Sequence, residues 1–332
     1  MFKSLNLVLA ASPPLYLAKL RARFSLIPEW LITFSFKPLH YMRASCGLFP
    51  QKGSPSIQAD RVIGMGELTF IGLGLCDDMD ISLRGLQVIR NSDFVFAEFY
   101  TSLMSGFCME RFKRRIGKQV SVVCRKDLEE DKGELILQKA AEARVAFLVP
   151  GDPLIATTHV DLRIRARKRG IRTKIVHGAS IISAVTGLSG LQNYRFGRSV
   201  TIPFSDGEHI SETPYDVIAK NRSMNFHTLC FLDVKAEERR FMTVNEALNV
   251  LLLLEKKRRE GVITTNSLAI GVARAGCEDV IVKAGYLEDL LDYDFGGPPH
   301  SLVIPADRLH FMEAEALNNL ADAAEKVRGM VG

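Results

Sequence analysis

Apolar runs alternate with amphipathic segments from residue 66 onward, which predicts strands alternating with helices. The predicted strands cover residues 68–72, 94–98, 119–124, 145–149 and 173–176, and the predicted helices cover 82–90, 107–116, 133–143 and 160–168. Strands separated by helices of this length need crossover connections, so they pair in parallel. We therefore expect an N-terminal α/β domain with a parallel sheet over residues 65–178.

The pattern changes after residue 178, where strands and helices no longer alternate regularly. Strands are predicted at 199–204, 228–232, 267–273, 280–284 and 301–304, with a helix at 243–259. This arrangement is typical of a mixed α/β domain, here spanning residues 179–332. A ligand is expected in the cleft between the two domains.

The segment 1–64 lacks sustained periodicity and is interrupted by prolines. It carries a net charge of +6, whereas the rest of the chain carries −1. We expect a leader that is disordered, resembles a transit peptide, or precedes a true start at Met65. Because the basic excess is confined to this segment and no apolar stretch reaches membrane-span length, neither a nucleic-acid nor a membrane partner is expected.

Two predicted strands end in glycine turns. The first runs into Gly72 and Gly74, and the second runs into Gly151 followed by Asp152. Such turns let bare backbone approach a ligand at the carboxyl edge of a parallel sheet, with Asp152 as a hydrogen-bond acceptor. The pattern predicts a small-molecule site at this edge.

The same region disfavours a phosphate-rich ligand. The third glycine of a dinucleotide fingerprint is missing, and no GxxxxGK[ST] motif occurs. The acidic residues Asp77, Asp78 and Asp80 follow the first turn and would repel a pyrophosphate. A neutral or cationic ligand is therefore expected.

The six cysteines are scattered without CxxC pairs, and the seven histidines form no metal-ligand spacing. This distribution predicts buried thiols in a reducing compartment, with neither a disulfide nor a metal.

Six dispersed motifs, in order and with matching spacing, resemble the diphthine synthase family, whose members have the two-domain tetrapyrrole methylase-like fold. The motifs are residues 71–75 (IGLGL), 97–102 (AEFYTS), 150–159 (PGDPLIATTH), 180–181 (SI), 227–233 (HTLCFLD) and 298–302 (PPHSL). The resemblance covers residues 67–312. It implies a cytoplasmic, homodimeric methyltransferase with S-adenosylmethionine as cofactor. The implied partner is translation elongation factor 2, whose histidine carries a 3-amino-3-carboxypropyl group.

The resemblance also implies the site residues. The cofactor contacts are Leu75, Asp152, Ile155, Ser180, Ile181, Leu232, Ala273 and His300, and the substrate side is Glu98, Tyr100, Thr101 and Ser102. No catalytic side chain is expected, because methyl transfer can proceed by positioning the amine and the sulfonium in line.

The connection between Asp233 and Glu246 is short and resembles the archaeal form, which implies methylation of the amino group three times. The alternative is a eukaryotic type that adds a fourth methyl group as an ester. A precorrin-type tetrapyrrole methylase, a nicotinamide-dependent oxidoreductase and a non-catalytic cofactor-binding module stay open as further alternatives.

Overall fold

The computed structural model describes residues 66–205, 210–323 and 325–331, which all belong to one unit of the chain. The expectations for segment 1–64 lie outside the described residues. Within the described part of the chain, no helix combines the length and the apolar character needed to cross a membrane.

The first sheet contains five parallel strands in the order β3-β2-β4-β1-β5. The strands are β1 (Glu67–Gly72), β2 (Phe94–Glu98), β3 (Ser121–Val123), β4 (Arg144–Val149) and β5 (Arg172–Val176). Phe70 of β1 lies opposite Phe147 of β4 and Ile175 of β5. The predicted parallel sheet is confirmed, so the carboxyl ends of its strands share one edge.

Helices cover both faces of this sheet. They are α1 (Leu83–Asn91), α2 (Met109–Ile116), α3 (Arg125–Glu129), α4 (Glu134–Glu142) and α5 (Val160–Lys168). Side chains alternate along β1, so Phe70 packs into the core shared with α4 and α5, and Ile71 packs into the core shared with α1 and α2. The predicted helices are confirmed, including the Ser82 cap, whose hydroxyl accepts the Gly85 N–H at 3.0 Å. The short helix α3 was not predicted.

The second sheet contains the five strands predicted for this half of the chain, in the order β11-β10-β12-β7-β6, with both parallel and antiparallel pairings. Its strands are β6 (Val200–Ile202), β7 (Thr228–Leu232), β10 (Leu268–Ala273), β11 (Ile281–Tyr286) and β12 (His300–Ile304), and a separate hairpin joins β8 (Val234–Lys235) to β9 (Arg240–Phe241). The helices of this half are α6 (Ile181–Ser189), α7 (Thr213–Ser223), α8 (Val244–Arg258), α9 (Leu287–Leu291) and α10 (Phe311–Leu320). Strand β6 is parallel to β7, and the other pairings are antiparallel. The hairpin and helices α7, α9 and α10 were not predicted.

Three glycines meet where neighbouring strands of the first sheet end. A Cβ atom on Gly72 would lie 2.4 Å from the Gly151 carbonyl oxygen and 2.6 Å from the Gly178 nitrogen. Gly72 itself packs against two other turns and does not face a ligand, whereas Gly74 and Gly151, in the same glycine turns, line the space at this edge of the sheet. Gly74, with φ of +86°, has the left-handed conformation that its turn requires.

We expect Gly72→Ala to destabilise the protein by about 2 kcal/mol or more, because backbone atoms cannot move aside as a flexible side chain would. Gly187→Ala is the matched control, since Gly187 lies in α6 with nothing within 4 Å of an added Cβ. The control should be neutral or slightly stabilising. Chemical denaturation of both variants measures the difference, and equal stabilities would contradict the packing role of Gly72.

Candidate functional site

A cavity of about 510 Å³ lies at the carboxyl edge of the first sheet and is also lined by residues of the second sheet. Turns after β1, β2, β4 and β5 contribute to its wall, together with α3 and the ends of β7, β10 and β12. This is the edge at which parallel α/β sheets bind ligands, and the volume suits a small molecule.

Seven of the eight residues expected to contact a cofactor line this cavity. They are Leu75, Asp152, Ile155, Ser180, Ile181, Leu232 and His300. The side chain of Ala273 does not line it, because it is fully buried in the core between the second sheet and α8. Its neighbours Val272 and Ala275 line the cavity instead, as the alternation of side chains along β10 requires for Val272.

Asp152 stands in the turn after β4 and is 8 % exposed. One carboxylate oxygen lies 2.7 Å from Nδ1 of His177, and the other accepts the Leu154 N–H at 3.4 Å. The carboxylate thus makes one long hydrogen bond within its own turn and contacts the exposed His177 imidazole. Asp152 also lines the cavity.

His300 begins β12 at the opposite wall. Its Nδ1 accepts the Val244 N–H at 3.2 Å, so its Nε2 carries the proton that it donates to the Gly297 carbonyl at 3.1 Å. Burial lowers the pKa of this imidazole. With both nitrogens engaged, the neutral ring is a fixed part of the wall.

Ser180 caps α6, since its hydroxyl accepts the Ile182 N–H at 3.3 Å. The first turn of α6 therefore faces the cavity through Ser180 and Ile181.

The loop after β2 forms the polar end of the cavity. Tyr100, Thr101 and Ser102 line it as expected on the substrate side, but Glu98 does not and is fully buried. One Glu98 oxygen accepts the Thr101 hydroxyl at 2.5 Å, and the other accepts the backbone N–H groups of Tyr100 and Thr101 at 3.0 and 3.1 Å. Burial raises the pKa of Glu98 to about 7, in spite of these hydrogen bonds.

His159 lies beside this carboxylate and is 2 % exposed. Its Nε2 is 3.8 Å from Glu98 and 3.5 Å from the Tyr100 hydroxyl. Burial lowers the pKa of His159 to about 4, so the ring is neutral near pH 7.

The acidic residues after β1 do not line the cavity, so they do not set its charge as the sequence suggested. Asp80 accepts the backbone N–H groups of Leu75 and Cys76 at 2.9 and 2.7 Å. Asp78 is buried and pairs with Arg111 and Arg115. These carboxylates stabilise the loop through their hydrogen bonds and ion pairs. The expectation that they repel a pyrophosphate is wrong, because they do not line the cavity.

The cavity residues on α3 were missed because this helix is short and four of its five residues are charged. Arg125 and Glu129 line the polar end, with 3.9 Å between a guanidinium nitrogen and a carboxylate oxygen. The Arg125 guanidinium also lies over the Tyr100 ring, 5.2 Å from its centre. The sequence feature that could have indicated α3 is the position of Asp127 three residues after Cys124. Asp127 caps the helix by accepting the Cys124 N–H at 2.7 Å.

The prediction of buried thiols without a disulfide is also wrong. Cys76, after β1, is bonded to Cys277, after β10, with an S–S distance of 2.10 Å. Cys108 and Cys124 are free and exposed, and Cys230 is free and buried. The disulfide joins the two sheets beside the cavity residue Leu75, a long-range pairing that spacing could not indicate. Among residues 66–205, 210–323 and 325–331, no cluster of three His, Cys, Asp or Glu could hold a metal ion.

Residues 67–291 match the family described as Tetrapyrrole (Corrin/Porphyrin) Methylases. The chain is 52% identical over 254 residues to the diphthine synthase of Methanocella arvoryzae, covering 76% of this chain and 98% of the relative. It is 45% identical over 260 residues to the diphthine synthase of Methanothermobacter thermautotrophicus, covering 78% and 97%. A crystal structure of a diphthine synthase superposes with a TM-score of 0.73 at 42% identity, covering 80% of this chain and all of that one.

We expect Cys277→Ser to lower the free energy of unfolding by about 2–4 kcal/mol under non-reducing conditions, because the disulfide closes a very long loop. Cys108→Ser, which removes an exposed free thiol, is the control and should change little. Non-reducing peptide mapping should find the Cys76 and Cys277 peptides linked. Recovery of both as free thiols from unreduced protein would contradict the pairing.

Proposed function

The chain belongs to the diphthine synthase family and is a methyltransferase, and we propose that it methylates translation elongation factor 2 in diphthamide biosynthesis. The cofactor is S-adenosylmethionine, and the acceptor is the amino group of the 3-amino-3-carboxypropyl histidine. The reaction would then take place in the cytoplasm, where elongation factor 2 works.

The convergence of separate motifs on one cavity carries this proposal. Seven residues from five separate stretches of sequence, 75 to 300, line a single space of about 510 Å³. That space has an apolar portion and a polar end, which matches a nucleoside sulfonium meeting a charged amino-acid side chain.

The apolar portion would hold the cofactor. Leu75, Ile155, Ile181 and Leu232 supply apolar surface for adenine and the thioether chain. Asp152 would accept hydrogen bonds from cofactor hydroxyl or amino groups. Ser180 and His300 would act mainly through backbone groups, which agrees with the engaged ring nitrogens of His300.

The polar end would hold the acceptor. Arg125 is the lining cation there, and we assign it to the carboxylate of the aminocarboxypropyl group, since a guanidinium binds carboxylates well. Tyr100, Thr101 and Ser102 surround the space left for the amine. The buried Glu98 carboxylate accepts hydrogen bonds from Tyr100 and Thr101 at this end and does not itself line the cavity.

The mechanism is an in-line displacement. S-adenosylmethionine would supply the methyl group to the amine lone pair, the new N–C bond forming as the S–C bond breaks to leave a neutral thioether, while residues of the cavity hold the reactants in line. Holding the nitrogen, the methyl carbon and the sulfur in line contributes several kcal/mol, on the order of the proximity effects known for oriented reactants. No covalent enzyme intermediate is needed.

We favour three methyl groups over four because the segment between β7 and α8 is short. It consists of the β8–β9 hairpin, and its residues Val234 and Phe241 line the cavity. A short hairpin leaves little additional structure to reposition the substrate carboxylate for ester formation. We further place the domain boundary near residue 178, between β5 and α6, and propose a homodimer.

Mass analysis of elongation factor 2 tests the function directly. The substrate is prepared from cells without the endogenous methylase and incubated with this protein and S-adenosylmethionine. A gain of three methyl groups on the modified histidine peptide is expected. A fourth would indicate the ester-forming type, and no gain with bound cofactor would refute the proposed acceptor.

Asp152→Asn should weaken cofactor binding about 10- to 100-fold, the range expected for losing hydrogen bonds to a charged acceptor. Isothermal titration with S-adenosylmethionine measures the dissociation constant. Asp161→Asn, at an exposed position in the first turn of α5, is the matched control. His177→Gln separates a direct role of Asp152 from one that depends on its imidazole partner. An unchanged dissociation constant for Asp152→Asn would remove Asp152 from the cofactor site.

A further inference from the structure

Each methyl transfer to a protonated amine releases one proton, and the polar end of the cavity contains a route for it. We propose that Glu98 accepts this proton from the substrate amine through the hydroxyl of Thr101. The inference rests on the proposed function, since it concerns the amine of that substrate.

The hydrogen bonds around Thr101 favour proton transfer from the cavity, through the Thr101 hydroxyl, to Glu98; this path is called the relay below. The single hydroxyl proton of Thr101 is donated to Glu98 at 2.5 Å. The hydroxyl oxygen therefore keeps lone pairs for another donor, and Thr101 is a lining residue of the cavity. An ammonium group in the cavity is a donor of the required kind.

The other Glu98 oxygen is held in place. It accepts the backbone N–H groups of Tyr100 and Thr101 at 3.0 and 3.1 Å. The oxygen that faces Thr101 is consequently the one left to take up a proton. Glu98 is fully buried, and the Thr101 hydroxyl links it to the cavity.

The groups facing Glu98 leave it able to change protonation state. His159, in the loop before α5, has its Nδ1 3.3 Å from the Pro153 carbonyl, which places the ring proton there and leaves Nε2 as an acceptor. Tyr100 lies within hydrogen-bond range of that Nε2, and burial raises the pKa of its hydroxyl. Both groups are therefore neutral near pH 7.

Two charged groups on α3 act on this cluster. The positive charge of Arg125 lowers the pKa of Glu98, and the effect of burial exceeds it. The negative charge of Glu129 acts on Tyr100. The resulting Glu98 pKa of about 7 lets the carboxylate accept a proton and later release it at neutral pH.

The step balances in atoms and charge. The ammonium gives a proton to the Thr101 oxygen while the Thr101 proton moves to Glu98, and the freed lone pair then attacks the methyl carbon. After the thioether product leaves, protonated Glu98 returns its proton through the same hydroxyl to water in the cavity. Three methylations repeat this cycle three times.

The test compares pH profiles of kcat/KM for the wild type, Glu98→Gln, Thr101→Val and Thr101→Ser on the aminocarboxypropyl-histidine substrate. In the wild type, kcat/KM should rise to about pH 7 and then level off. In Glu98→Gln and Thr101→Val it should be about 100-fold lower at pH 7, within the usual range for loss of a general base. In these two variants it should continue to rise tenfold per pH unit toward the pKa of the amine, above about 8. Thr101→Ser should keep the wild-type profile.

The outcomes separate the relay from the proposed function. A wild-type protein that binds S-adenosylmethionine but leaves this substrate unmethylated refutes both. An active wild type with Glu98→Gln or Thr101→Val profiles that level off at the wild-type pH refutes the relay alone, because a merely structural role would lower the rate without moving the plateau. Cofactor affinity and thermal denaturation confirm folding, and Thr101→Val decides the matter should Glu98→Gln fail to fold.

Discussion

The close backbone contact among Gly72, Gly151 and Gly178 is the constraint on which the site depends. Gly72 ends β1, and Gly151 and Gly178 follow β4 and β5, which flank β1 in the first sheet. Because Gly72 and Gly178 have no side chain, the turns approach to distances that a Cβ atom on either would forbid, and Gly151 contributes a left-handed conformation with φ of +71°. Gly74 and Gly151 add two backbone hydrogen bonds, of 3.3 and 2.6 Å, across the same contact. The turns that carry Leu75, Asp152 and Ser180 are thereby fixed relative to one another.

Burial disfavours the charged form of both Asp78 and Glu98, and their partners decide the outcome differently. Asp78 is buried against Arg111 and Arg115, so it remains charged and holds a loop in place. Glu98 is buried with neutral donors and a neutral imidazole, so its charged form is disfavoured. The first cluster stabilises structure, whereas the second retains a carboxylate that can change its protonation state beside the cavity.

A disulfide joins the two sheets at the cavity, and a hydrogen bond within the second half of the chain positions the wall that this half forms. The Cys76–Cys277 disulfide joins the turn after β1 to the turn after β10. His300 links the start of β12 to the start of α8 through its hydrogen bond from Val244. These contacts fix the wall formed by the second sheet, so the ligand space does not depend on either sheet alone.

The sequence by itself determined the parallel sheet, most of its helices, the strands of the second sheet and the motifs that meet at the cavity. These features depend on local periodicity, caps and glycine turns, which are encoded within a few residues. It could not place Arg125 and Glu129, because a five-residue charged helix has no apolar period. Only the tertiary structure decided that Ala273 faces the core, that Cys76 pairs with Cys277, and that Glu98 lies beneath the cavity. Each of these outcomes depends on contacts between residues that are far apart in the sequence. Local sequence patterns do not specify such contacts, so only the folded structure shows which side chains are buried and which cysteines pair.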